Sequence, residues 1–129
     1  MTMESTRFSD GLAVRKEVLG PEHVERALAE VSEFSRPIQE WVTQACWGDV
    51  WARPGLDRRT RSLLNLAMLT ALNRMQEFAV HVRGAVRNGC TRDEIQETLL
   101  HVAPYCGAPA ALECFRIADR VLQDLDADG

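Results

Sequence analysis

The sequence predicts an all-α fold of about six to seven helices forming one domain over residues 1–129. Three observations lead there. Apolar residues recur at the three- and four-residue spacing of a helix face from end to end. Pro, Gly and an Asn-Gly pair fall between those stretches, where they end one helix and open the next. No segment alternates apolar and polar residues between hairpin turns, as a half-buried strand would.

A first helix runs to "EVLG", ending near Gly20. Pro21, whose fixed φ suits a first helical position, opens "PEHVERALAEV", with Val24, Ala27, Leu28 and Val31 on one face. Ser35 starts "RPIQEWVTQACWGDVW", again with proline in the first turn. After the turn "ARPGL", Asp57 is placed to cap "RRTRSLLNLAMLTALN". The second half of that helix is apolar almost all round. In a chain this short, such a helix is central in the core or covered by another subunit, and an oligomer is the expectation.

Asn73 and Gln76 have capping-box spacing and open a helix that stops at Asn88 and Gly89. Thr91 and Glu94 repeat the pattern for "RDEIQETLLHVA". Pro104, Gly107 and Pro109 then interrupt the chain before "AALECFRIADRVLQDL", and the terminal "DADG" is expected to fray.

Composition narrows the function. With 46% hydrophobic and 26% charged residues, the chain suits a soluble globular core. No stretch nears the roughly 20 apolar residues of a membrane span, and "MTMESTRFSDG" does not read as a signal peptide, so the expected location is cytoplasmic. Cys46, Cys90, Cys106 and Cys114 form no CxxC pair, which fits a reducing compartment and argues against a zinc knuckle; they are expected as small core residues, Cys106 included. A formal charge of −4 argues against a nucleic-acid partner. All but one of the 15 basic residues are nevertheless Arg, and Arg53, Arg58, Arg59 and Arg61 lie close together, where guanidinium forks could match carboxylates.

The stretch "NRMQEFAVHVRGAVRNG" places Glu77 and His81 one helical turn apart on one face, beside Gly84 and Asn88. Three readings stay open: a surface ion pair, two metal ligands, or an acid–base pair. Metal ligation is the weakest, because two ligands are too few and neither His23 nor His101 has a recognisable ligand spacing to them. No nucleophile elbow, activated thiol or phosphate-cradling glycine loop offers an alternative chemistry. As an acid–base pair, His would donate or relay a proton and the carboxylate would orient it.

Four stretches in order, "VRKEVLGPEHVERAL", "WGDVWARPGLDRRTRSLLNLAML", "ALNRMQEFAVHVRGAVRNGCTRDEIQETLL" and "YCGAPAALECF", resemble the carboxymuconolactone decarboxylase family. The resemblance implies an AhpD-like helical bundle assembled as a homo-oligomer, a hexamer or trimer. It implies cofactor-independent, metal-free decarboxylation of 4-carboxymuconolactone to 3-oxoadipate enol-lactone in aromatic-acid catabolism (protocatechuate, β-ketoadipate). On matching positions it makes His81 the proton donor and Glu77 its orienting partner. Arg53, Arg61 and Arg74 become candidates for the substrate carboxylates, and Trp47 and Trp51 for pocket walls. The cysteine motif of the AhpD-like disulfide reductases is missing, so thiol chemistry is not expected. Met75, Gln76, His101 and Pro104 depart from the family pattern, which bears on the substrate more than on the fold. Two alternatives remain: the same fold acting on another enolisable acid or lactone, or a non-catalytic oligomeric binding protein.

Overall fold

The computed structural model describes residues 3–128, and every regular element among them is helical. The chain forms two compact units, divided after Asp57. In the first, α1 spans Met3–Leu19, α2 spans Pro21–Ala29 and α3 spans Arg36–Trp41. Gly20, at φ 95°, breaks α1 from α2, and Pro21 follows at the expected first position. The helix expected from Ser35 onward changes character at its midpoint. After Trp41 the chain continues as a π-helical run, Val42–Trp51, which closes with the Ala52 amide donating to the Trp47 carbonyl at 3.2 Å.

Tertiary packing explains the wider coil. α1 crosses the π-helical run backbone to backbone: a Cβ on Gly11 would overlap the Thr43 carbonyl oxygen, and one on Gly48 would stand 3.1 Å from the Arg7 carbonyl oxygen. With more residues per turn than an α-helix, this run keeps Thr43, Trp47 and Trp51 on one buried line. The Trp47 and Trp51 rings lie 4.9 Å apart, tilted by 31°, and pack with Val18. Arg15 is buried beside them and donates from Nη1 to Gln39 Oε1 at 2.9 Å and Thr43 Oγ1 at 3.1 Å. Burial lowers the pKa of its guanidinium and raises that of the neighbouring Cys46 thiol.

The second unit holds α4 (Arg58–Ala71), α5 (Met75–Arg87), α6 (Arg92–Cys106) and α7 (Ala108–Asp128). Leu66, Phe78, Val82, Ile95, Leu99 and Cys114 meet in its core. The capping box expected at α6 is present: Thr91 Oγ1 accepts from the Glu94 amide at 3.0 Å, and the Thr91 amide donates to Glu94 Oε1 at 2.8 Å. Arg59 of α4 pairs with the same carboxylate.

Four local expectations are corrected. Asn73 does not cap α5; it takes the left-handed conformation, at φ 58°, that turns the chain out of α4, and α5 begins after Arg74. Pro104 does not end α6, which continues to Cys106 because proline and Leu100 lie on the exposed side, where a lost carbonyl bond is met by water. Gly107, at φ 98°, makes the stop instead. Of the terminal "DADG", expected to fray, Asp126, Ala127 and Asp128 lie within α7 and Gly129 lies outside the described residues; Cys106 is exposed rather than core. Leu64 and Met68 of α4 are exposed one turn apart, as is Leu72 just after its end. Among the described residues no helix is long and apolar enough to cross a membrane.

Two stability predictions follow from these contacts. Gly11→Ala is expected to lower the melting temperature by several degrees through roughly 1–3 kcal/mol of overpacking against backbone. Gly55→Ala, where a Cβ meets nothing within 4 Å, is expected to leave thermal unfolding unchanged. Glu94 is the second case. Hydrogen bonding to the Thr91 amide, the largest cause, together with Arg59, holds its carboxyl below the usual carboxylate range. A depressed folded pKa stabilises above the ordinary pKa and loses that contribution as pH falls through the folded value. The melting-temperature advantage of the native chain over Glu94→Gln should therefore be complete at about pH 6 and shrink as pH falls below the ordinary carboxylate range of about 4.

Candidate functional site

The three-residue connection between α4 and α5 makes them antiparallel neighbours, so residues distant in sequence meet across the seam. Two side-chain contacts fix the register. Asn88 Nδ2 donates to Ser62 Oγ at 3.0 Å, and Ser62 is fully buried. Further along, Asn65 Nδ2 lies 3.4 Å from His81 Nδ1 and 3.5 Å from His81 Nε2. Gly84 and Ala85, both buried, let the backbones approach between these points.

The second contact has an informative shape. A partner bonded in the ring plane to one imidazole nitrogen lies far from the other, since the two point in divergent directions. Near-equal distances therefore set the Asn65 amide over the face of the ring, as an amide stacked on an aromatic. The in-plane directions of both nitrogens are left to other groups. His81 is half-buried.

Helical spacing adds charge to this place. Arg58, Arg61 and Asn65 stand at i, i+3 and i+7 on α4, and Arg58 and Arg61 are both half-buried. Glu77 precedes His81 by one turn of α5 and is exposed; among the described residues no ion pair joins the two. The side chain found on the ring is Asn65, which the sequence-based candidates omit. Its signal was available: it is the single polar residue in "LLNLAML", and it falls on the Arg58–Arg61 face.

Arg74 is the N-cap of α5, exposed, seven residues and about 10 Å along the axis from His81. Trp47 and Trp51 are core residues of the first unit, and Arg53 is exposed just beyond its π-helical run. An open cavity of about 580 Å³ in the second unit is lined by Thr70, Asn73, Met75, Tyr105, Cys106 and Glu113, among others, with no Arg or Lys. Its one charged residue is acidic, so it suits a carboxylate substrate less than the Arg58–Arg61 face does. Burial pushes up the thiol of Cys114, away from the reactive thiolate form. Among the described residues no three His, Cys, Asp or Glu side chains gather as a metal-binding group.

The seam brings an imidazole and an amide into contact, with Arg58 and Arg61 at helical spacing from that amide on α4. Residues 36–120 match the carboxymuconolactone decarboxylase family. A nitrosuccinic acid decarboxylase from Metarhizium robertsii is 46% identical over 118 residues, covering 92% of this chain and 82% of the fungal protein. A 4-carboxymuconolactone decarboxylase from Acinetobacter baylyi is 43% identical over 122 residues, covering 95% and 91%. A protein of the same name from Pseudomonas putida is 39% identical over 46 residues, covering 36% of this chain and 96% of the other.

Proposed function

Since the chain belongs to the carboxymuconolactone decarboxylase family, we propose that it decarboxylates 4-carboxymuconolactone to 3-oxoadipate enol-lactone without a cofactor. The observation that carries this reading is the likeness to the Acinetobacter enzyme over nearly the full length of both proteins. The substrate supplies its own electron sink, so the protein's task is binding, electrostatics and one proton. The bond from ring carbon to the departing carboxylate breaks. Its electron pair moves through the ring double bond onto the lactone carbonyl oxygen, giving a dienolate and carbon dioxide. Protonated His81 then gives its proton to the carbon next to that carbonyl, and solvent restores it.

Arg61, one turn from Asn65 on the face that meets His81, is the first choice to hold a substrate carboxylate, and Arg74 the second. Glu77, one turn before His81 on α5, is proposed as the partner that orients the ring. The exposed stripe of Leu64, Met68 and Leu72 supports assembly of identical subunits, with a hexamer or trimer as the proposed state. Location in the cytoplasm and a place in protocatechuate catabolism belong to the same proposal.

A second reading rests on the fungal relative, whose identity to this chain is 46%. Nitrosuccinic acid loses the carboxylate beside its nitro group to leave a nitronate, which is again protonated on carbon. The protein requirements are the same, and substrate choice falls to the shape around Arg61 and His81.

Turnover of both acids in the presence of chelator, followed by carbon dioxide release, tests the proposal. His81→Ala is expected to lower kcat by roughly 100-fold or more while the assembly and melting temperature hold. Arg61→Ala is expected to act chiefly on KM. Release of carbon dioxide from neither acid by an assembled, folded protein would reject the decarboxylase reading. Full activity in His81→Ala would reject the role given to His81.

A further inference from the structure

Asn65 is a polar side chain in an apolar stretch, half-buried, and among the described residues its carboxamide has no hydrogen-bond partner beyond the His81 ring. That one contact is to the ring face and uses neither nitrogen in its bonding direction. A buried amide ordinarily spends its donors on backbone or side-chain oxygens, as Asn88 does on Ser62 one turn away across the seam. The Asn65 donors are instead left at the place where the proton is delivered. Arg61 stands one turn back on α4.

We propose that Asn65 donates its carboxamide N–H groups to the oxygen that gains negative charge as carbon dioxide leaves, directly beside the His81 ring that protonates the carbon. The inference rests on the decarboxylase reading and assigns the donor which that reading lacks. In both candidate acids the carbon that takes the proton is bonded to the atom that carries the charged oxygen: the carbonyl carbon of the lactone, or the nitrogen of the nitro group. Charge and proton thus arrive two bonds apart. An amide 3.4–3.5 Å from the imidazole nitrogens spans that separation, so one intermediate can meet both groups at once. The electrons balance without any further reagent. The C–C bond pair moves to oxygen, is held there by Asn65, and returns to form the C–H bond with the proton from His81.

The test is steady-state kinetics of Asn65→Ala and Asn65→Asp on whichever acid the native protein turns over, with carbon isotope effects at the departing carboxylate and solvent isotope effects. Asn65→Asp keeps the shape and removes both donors, and it decides the matter should Asn65→Ala not fold. We expect kcat to fall by roughly 100-fold in each variant with KM changed by less than about threefold, since a donor to a developing oxyanion acts on the transition state. The carbon isotope effect should be fully expressed, because breaking the C–C bond has become the slow step. A side chain that only positions His81 would instead slow proton transfer, raising the solvent isotope effect and suppressing the carbon one; that pattern, or kcat within about threefold of native, would overturn the inference. Absence of any native turnover would overturn the decarboxylase reading and this inference together. Native turnover with undiminished variants would overturn this inference alone.

Discussion

The seam between α4 and α5 is the constraint on which the candidate site depends, and the buried hydrogen bond at Ser62 is one of the two contacts that set it. Ser62 is fully buried, and a hydroxyl in that position needs a partner; Asn88, the C-cap of α5, provides it at 3.0 Å. Sliding either helix by one turn would strand that hydroxyl at a cost of about 1–3 kcal/mol, so the register is fixed by a polar contact within an otherwise apolar interface. With the register fixed, Asn65 must face His81, and Arg61 must stand one turn away on the same side. Phe78 and Val82, buried on the neighbouring face of α5, hold the helix against rotation, so the direction of the His81 side chain follows from core packing.

The same reasoning separates what the sequence made legible from what it did not. The Thr91–Glu94 capping box, the breaks at Gly20 and Gly89 and the apolar face of α5 depend on residues within four positions of one another, and local pattern reads them. Asn73 defeated that reading because its capping-box spacing with Gln76 competes with its tolerance of left-handed backbone, and the three-residue turn needs the latter. The π-helical run is beyond local reading altogether. Its cause is the approach of α1 at Gly11, more than thirty residues earlier in the chain. Pro104 shows the converse: a strong breaker tolerated because the carbonyl it leaves behind faces solvent.

For the candidate site, position was legible and partnership was not. Spacing alone put Glu77 and His81 on one face of α5, and the structure has both on that helix at those positions. A carboxylate one turn away is the natural sequence-level partner for an imidazole, yet the contact on the ring comes from Asn65, across the seam. Contacts between helices depend on register, and register here depends on Ser62, a residue without any sequence signature. The polar interruption in "LLNLAML" could be seen, but its meaning required the facing helix.

The proximity of Asn65 to His81 also bears on how one family accommodates acids as different as a lactone and a nitro compound. These substrates differ in ring, charge distribution and size. They share a carboxylate whose bonding pair can withdraw onto oxygen, and a carbon beside that oxygen's atom which must then be protonated. A protein selects for that shared geometry when it fixes a donor and an acid at contact distance on two helices locked in register. Glu77 and Arg74 are exposed, outside the packed seam. Chemistry is thereby tied to the core of the fold, and substrate identity to its surface. On the proposed roles, this division accounts for sequence likeness over nearly the whole chain to relatives named for two different acids.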